Sequence, residues 1–471
     1  MFGESSATLK LPAFNFLPIS VNEELLRETM EVGRERESWV LAFVVGTKPC
    51  FYKAYGVIRA AEKRKIPFFV INTEQHHETV LTRGLRELGL DRHVYFNLGI
   101  RGDLAHKCAE LFVKVSYVAK YLRKRFPDVA TAPVVIGDTI MTAIVPPAWT
   151  FTRGEKALQL EAGLRSMTPK SSFKLRKCPP EEFILRQRDD EMVLLRSEPY
   201  PEQYDTFTAA AGSEYLFAPL ELNREHLIRE GHDPDKTFVI GGLVVDALEL
   251  KLRESRQSSV FERFPALEEG TWIRIDIHRR GNLTASRFKS ILHAIKMLVE
   301  KGYQVNFVEM NATKSAIEHH GLRSLVESLT RRPNFLLTPV WPEYSDVVEF
   351  YNSDNCLTAI TDSGGVQEEF NILQKPLITC RFNTDRPETV QNGGNVLVPP
   401  VSSEFLERGV RFVCDGEEIL AEMRNAPPLY GSGTGENFAT IIERLSSSRA
   451  PLFSWAHDQL GLGGGGALFF K

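Results

Sequence analysis

The chain has 471 residues, a quarter of them charged, and a formal net charge of −4. That length accommodates two domains with separate cores, and so balanced a charge argues against a nucleic-acid-binding face or an acidic tail. Six cysteines, at 50, 108, 178, 356, 380 and 414, form no C-x-x-C pair and have no zinc-type histidine spacing, so free thiols are expected rather than a disulfide framework or a metal site.

The opening, MFGESSATLK, has no basic segment leading into an apolar one, and no apolar run reaches the roughly 18 residues of a membrane helix. A cytoplasmic protein with no membrane span is the expectation. The spacing of Leu25, Leu26, Met30 and Val32 predicts a helix over 21–36. Trp39–Val45 is a continuous apolar run, as expected of a strand buried on both faces of a parallel sheet. It ends at Gly46-Thr47-Lys48-Pro49, and a helix and a strand at Phe68–Asn72 follow. Strands and helices keep alternating through Gly137-Asp138-Thr139 and Glu161-Ala-Gly-Leu-Arg165, which predicts a doubly wound α/β sheet.

Between 167 and 198 the chain turns charged and irregular and reads as an inserted surface excursion. Pro201–Glu214 reads as a helix, and a second α/β block starts near Thr271. The expected organisation is an N-terminal extension over 1–38, a first Rossmann-like lobe over 39–245, a second over 246–433, and a C-terminal helix and glycine-rich tail over 434–471. Two such lobes face one another across a ligand cleft.

The most informative stretch is TDSGGVQEEFNILQKPLITCRFNTDRPE, residues 361–388. An apolar run stops at Ser363-Gly364-Gly365 and resumes at helical spacing, so free backbone N–H groups and a positive dipole end converge on one point, an anion site. Ser363 is placed to cap that helix, and Glu369 sits where a carboxylate accepts a ribose diol. Locally, a tight strand-to-helix connection explains the turn equally well.

Other strand ends carry Lys48, Lys53, Gln75, His76, Asp138 and Glu161, then Glu202 after the charged stretch, and His278, Arg279, Arg280 and Arg381 in the second half. Carboxylates on one wall facing cations and a phosphate cradle on the other suit elimination of a nucleotide from a sugar. Each residue also has a plain structural reading: Asp138 as a helix cap, Glu161 as a partner of Arg165, Lys48 and Lys53 as solvated lysines, His278 as a satisfied imidazole, Glu202 as a first-turn acid.

The whole pattern resembles the UDP-N-acetylglucosamine 2-epimerase family, with TDSGG-x-QEE and R-x-x-T-[ED]-RPE, and with GTKP, TEQH, GDT, EAGLR and HRRGN matching its remaining motifs. The resemblance spans roughly residues 39–447 and implies a glycosyltransferase-B type fold. It implies a catalytic set of Asp138, Glu161, Glu202 and His278, and nucleotide contacts from Lys48, Lys53, Arg279, Ser363, Gly364, Gly365, Glu369 and Arg381. The implied substrate is a UDP-sugar, epimerised at C2 by elimination and re-addition of UDP, with no metal or nicotinamide cofactor. Transfer of the sugar to an acceptor, or hydrolysis, is the alternative fate in the same cleft. Family members are often dimeric, which puts a homodimer among the expected states.

The chain departs from the pattern at several points. PEE-x-NR becomes Pro201-Glu202-Gln203-Tyr204-Asp205-Thr206, Lys48 replaces an arginine, Gly281 replaces a glutamate, H-x-N-P becomes Glu309-Met310-Asn311-Ala312, and the 167–198 insert has no counterpart.

Overall fold

The structure, a computed structural model, describes residues 16–75, 84–254 and 259–462; His76 and the glycines from Gly463 onward lie outside them. The strands in chain order are β1 (Ser20–Val21), β2 (Val40–Val45), β3 (Phe68–Asn72), β4 (Val94–Asn97), β5 (Thr131–Ile136), β6 (Ala157–Leu160), β7 (Met167–Pro169), β8 (Met192–Leu194), β9 (Ser213–Ala218) and β10 (Thr237–Val239). The second half adds β11 (Trp272–Asp276), β12 (Gln304–Glu309), β13 (Phe335–Pro339), β14 (Cys356–Thr361), β15 (Leu377–Thr379) and β16 (Asn395–Leu397).

The first sheet runs β1-β4-β3-β2-β5-β6-β9-β10, parallel except for the short edge strand β1, which pairs antiparallel to β4. The second, β13-β12-β11-β14-β15-β16, is parallel throughout. Both carry the doubly wound order whose direction reverses beside the first strand, and ligands bind at the carboxyl ends there. The continuous apolar runs have the expected cause: every residue of β2, β3 and β5 is buried, because helices cover both faces. This is the two-lobed, glycosyltransferase-B type architecture.

Helix Thr434–Ser447 returns to the first lobe and lies on helix Lys48–Lys63, with Phe438 packed against Phe43 and Phe217. A Cβ at Gly435 would sit 2.1 Å from the carbonyl oxygen of Gly56, so the crossing tolerates no side chain there. No helix among the described residues is long and apolar enough to cross a membrane.

The 167–198 segment is not a surface excursion. β7 and β8 pair antiparallel, and between them Leu175, Phe183 and Ile184 join the core of the second lobe, packing with residues such as Val398 and Val410. The charged residues alternate with these apolar ones, so local composition reads as exposed while one face is covered.

Candidate functional site

Two turns from the second lobe meet at its topological switch. The carboxyl end of β14 leads through Asp362 into Ser363, the N-cap of helix Gly364–Ile372, and the end of β11 leads to His278 and Arg279. The expected cap bond is absent: Ser363 has the extended backbone of an N-cap but no side-chain bond to the helix. A Cβ on Gly364 would lie 2.6 Å from Asp385 Oδ2, whereas one on Gly365 would meet nothing within 4 Å. Gly364 is therefore required by packing, and the first turn beside Gly365 stays open.

Asp362 is the brace of this corner. Fully buried, it accepts the backbone N–H of His278 (3.1 Å) and Arg279 (2.9 Å) and the Asn282 side-chain amide (3.1 Å), and His278 Nδ1 lies 3.1 Å from it. Burial works against charge on both His278 and Asp362, but their mutual attraction wins, raising the imidazole's pKa and lowering the carboxyl's. Asp276, pushed up to about 6 by burial, accepts the Thr361 hydroxyl behind them. Asp276, His278 and Asp362 offer ligand atoms within 4.8 Å of one another. Their oxygens already accept protein N–H and O–H groups, which fits a hydrogen-bonded brace better than a metal centre.

In the first lobe, β6 ends at Glu161, whose φ of +62° puts a non-glycine residue in the left-handed region, a strain that persists only where surroundings enforce it. They do so here. Glu161 Oε2 accepts Lys53 Nζ at 2.5 Å and Oε1 accepts Arg386 Nη2 at 2.6 Å. Glu161 therefore does not pair with Arg165, which bonds Glu230 instead. Burial raises the Glu161 carboxyl against the pull of the two cations. Lys53, which burial alone would lower, is held above the ordinary lysine range by Glu161 and then Asp138. Arg386 also bonds Glu368 and Asp385.

Asp138 and Glu202 lie closer to open space, with 20% and 22% of their side chains exposed. Thr139, not Asp138, occupies the N-cap position of the following helix, so Asp138 does not cap it. Arg279 reaches across from the second lobe to bond Glu202 and approaches Asp138 to 3.8 Å. These two carboxylates raise the guanidinium's pKa despite burial. One turn beyond Glu202, Asp205 is buried and pushed up to about 8, by burial first and then by the charges of Asp138 and Glu202.

A cavity of about 300 Å³ opens between Ser197–Tyr200 and Glu202 on one side and Arg279–Asn282 and Arg381 on the other. Glu202 Oε2, Arg279 Nε and Arg381 Nη2 are buried around it with no hydrogen-bond partner among the described residues. Arg381 is otherwise held by Asp385. Unpartnered polar atoms converging on a cleft are what a polar ligand satisfies.

Lys48 donates to the carbonyls of Trp341 and Pro342 at 3.2 Å, bridging the lobes. Glu369 accepts the Tyr344 hydroxyl at 2.8 Å, and the Tyr344 ring stacks on Tyr52 of the first lobe at 4.2 Å. Burial pushes the Glu369 carboxyl up to about 7, and the Tyr344 bond opposes the shift.

The expected residues thus fall into four groups: Glu202, Arg279 and Arg381 at the cavity, with Asp138 beside Arg279; Ser363, Gly364, Gly365 and Glu369 along one helix, with His278 braced behind; Lys53 with Glu161, buried; and Lys48 at the contact between the lobes. Sequence reading left Arg386, Asp362, Tyr344 and Asp205 without roles. Arg386 and Asp362 stood inside the quoted motif, so the signal was present; Tyr344 carried none, because its partner lies 25 residues away.

The family model described as UDP-N-acetylglucosamine 2-epimerase matches residues 196–443, just over half of the chain. A UDP-N-acetylglucosamine 2-epimerase from Methanocaldococcus jannaschii is 29% identical over 411 residues, covering 85% of this chain and 98% of that protein. The crystal structure of the M. jannaschii UDP-GlcNAc 2-epimerase in complex with UDP-GlcNAc and UDP aligns with a TM-score of 0.69 at 27% identity, over 86% of this chain and 99% of that one. The Neisseria meningitidis UDP-GlcNAc 2-epimerase bound to UDP-GlcNAc aligns at 0.68 and 23% identity, over 86% and 99%, a likeness of fold.

Proposed function

Because the chain belongs to the UDP-N-acetylglucosamine 2-epimerase family, we propose that it binds UDP-N-acetylglucosamine between its lobes and inverts C2 by eliminating and re-adding UDP. The observation that carries this reading is Arg279, which joins the second-lobe corner beside the Ser363 helix start to Glu202 and Asp138 of the first lobe. A diphosphate at that helix start brings the sugar to the carboxylates.

Glu369 takes the ribose hydroxyls, and the open N–H groups after Ser363 take the diphosphate, joined by the imidazole of His278 and the free N–H of Arg381. Asp138 and Glu202 are the acid–base candidates, since each retains exposed surface. One carboxylate removes the C2 proton as the C1–O bond breaks, the bonding pair leaving with UDP and a C1–C2 double bond forming. Return of UDP oxygen to C1 with protonation of C2 on the other face completes inversion. Glu161, with both oxygens engaged by buried cations, works as a positioning residue that holds Lys53 and Arg386 rather than as the base.

Proton NMR of the purified protein with UDP-N-acetylglucosamine in deuterated water tests the reading. Deuterium at C2 of an intact UDP-sugar mixture is the expected result, reduced in Glu202→Gln with UDP binding retained. Free UDP and free sugar would instead indicate hydrolysis. Binding with neither exchange nor cleavage would overturn the reading for this substrate.

A further inference from the structure

The family-model match begins at residue 196, so all but the last three residues of the 167–198 segment lie before it. Both ends of that segment belong to the first lobe, between β6 and helix Glu202–Ala211, yet its middle is docked on the second. The fastening is specific. Met167 and Thr384 exchange backbone hydrogen bonds of 2.7 and 2.8 Å, and the Thr168 hydroxyl donates to the Phe382 carbonyl at 2.6 Å. Gln187, itself buried, bonds both backbone groups of Leu397: its amide donates to the carbonyl at 3.3 Å and its oxygen accepts the N–H at 2.6 Å.

Asn383 is the central fastener. Fully buried, its amide donates to Ser166 Oγ at 2.7 Å, where the segment begins, and to the Glu198 carbonyl at 2.6 Å, where it ends. Phe382 beside it receives the guanidinium of Arg287, which pairs with Glu198. Phe382 and Asn383 are the two variable positions of R-x-x-T-D-R-P-E. On either side of them stand Arg381 at the cavity, held by Asp385, and Arg386, which reaches Glu161.

We propose that residues 166–198 form a strap that holds the cleft at its ligand-binding spacing before any nucleotide arrives, with Asn383 and Gln187 as the positioning residues that fasten it. The inference rests on the nucleotide-sugar reading of the cleft. A state already assembled spares the ligand the free energy of closure, and loosening it lowers apparent affinity by the fraction of molecules remaining competent. Chemistry in the assembled complex is untouched.

The test compares the full-length wild type with Asn383→Ala and Gln187→Ala, by hydrogen–deuterium exchange of residues 382–398 and by UDP calorimetry. In the wild type this stretch is protected without UDP and gains nothing on binding. In each variant exchange rises in the free protein, UDP restores protection, and Kd and KM rise roughly tenfold while kcat at saturation holds. Unchanged free-state exchange in a folded variant, or a fall in kcat with Kd unaltered, would overturn the strap. Should Asn383→Ala fail to fold, Gln187→Ala, remote from the cavity, decides. If the wild type binds no UDP, the nucleotide reading fails, and the free-state exchange comparison still decides the strap.

Discussion

Glu161 and Arg386 come from different lobes and meet at 2.6 Å with 1% of each side chain exposed. This places an interlobe ion pair in the interior, where neither partner tolerates loss of the other. Arg386→Ala leaves Glu161, Glu368 and Asp385 short of a cation, and unfolding free energy falls by about 3–5 kcal/mol. Glu161→Gln falls in the same range, because Lys53 and Arg386 then face one another across an amide. Glu202→Gln, at a partly exposed carboxylate, loses less, and its effect appears in turnover, which drops roughly 10²–10⁴-fold. Denaturant unfolding beside C2-exchange rates checks the contrast; equal destabilisation by both glutamine variants would contradict the assignment of Glu161 as the structural carboxylate.

Asp205 makes stability depend on pH. Its carboxyl titrates near 3.8 when unperturbed and near about 8 when folded, so between those values the folded state binds the extra proton. The stability this adds is complete at low pH and is lost as pH rises toward the folded value. Asp205→Asn removes the titration. Its unfolding free energy relative to wild type should therefore climb between about pH 5 and about pH 8, with a limiting slope of about 1.4 kcal/mol per pH unit. A constant difference across that range would show that the folded carboxyl is already ionised.

The Tyr344 hydroxyl keeps Glu369 closer to its ionised form against burial. A carboxylate accepts ribose hydroxyls better than a carboxylic acid, so UDP affinity should rise with pH as Glu369 loses its proton near about 7. Tyr344→Phe removes the bond and moves that midpoint upward. Calorimetry at neutral pH should find UDP bound roughly tenfold more weakly, recovering in alkaline buffer. Equal weakening at every pH would point to lost stacking on Tyr52 instead.

Asp362 and His278 should separate structure from ligand binding. Asp362→Asn turns part of an all-acceptor group toward the N–H donors of His278, Arg279 and Asn282, leaving buried donors unsatisfied at about 1–3 kcal/mol each. His278→Ala leaves the backbone brace in place. Thermal melting should show a large loss for Asp362→Asn and a small one for His278→Ala, while UDP affinity falls in the histidine variant because a hydrogen-bond donor near the diphosphate is gone. A His278→Ala protein with unaltered UDP affinity would remove the imidazole from the phosphate site.

Sequence alone determined the elements whose cause is local. Val40–Val45 reads as a doubly covered strand because no polar residue interrupts it, and Ser363-Gly364-Gly365 reads as a strand-to-helix anion turn because its neighbours enforce opposite periods. The signature motifs also carried the family, and with it Asp138, Glu161, Glu202 and His278. Tertiary structure decided which of these groups face the cleft and which are consumed by one another. Lys53 and Glu161 are far apart in sequence and become a buried pair, while Asp138 and Glu202 stay partly exposed around Arg279. It also decided that the charged 167–198 segment is a bridge, since Leu175, Phe183 and Ile184 are too few and too irregularly spaced to signal burial until the second lobe covers them. The physical reason is common to these cases: periodicity and turn chemistry act between neighbours along the chain, whereas ion pairing and interlobe packing depend on distances that exist only after both sheets have formed.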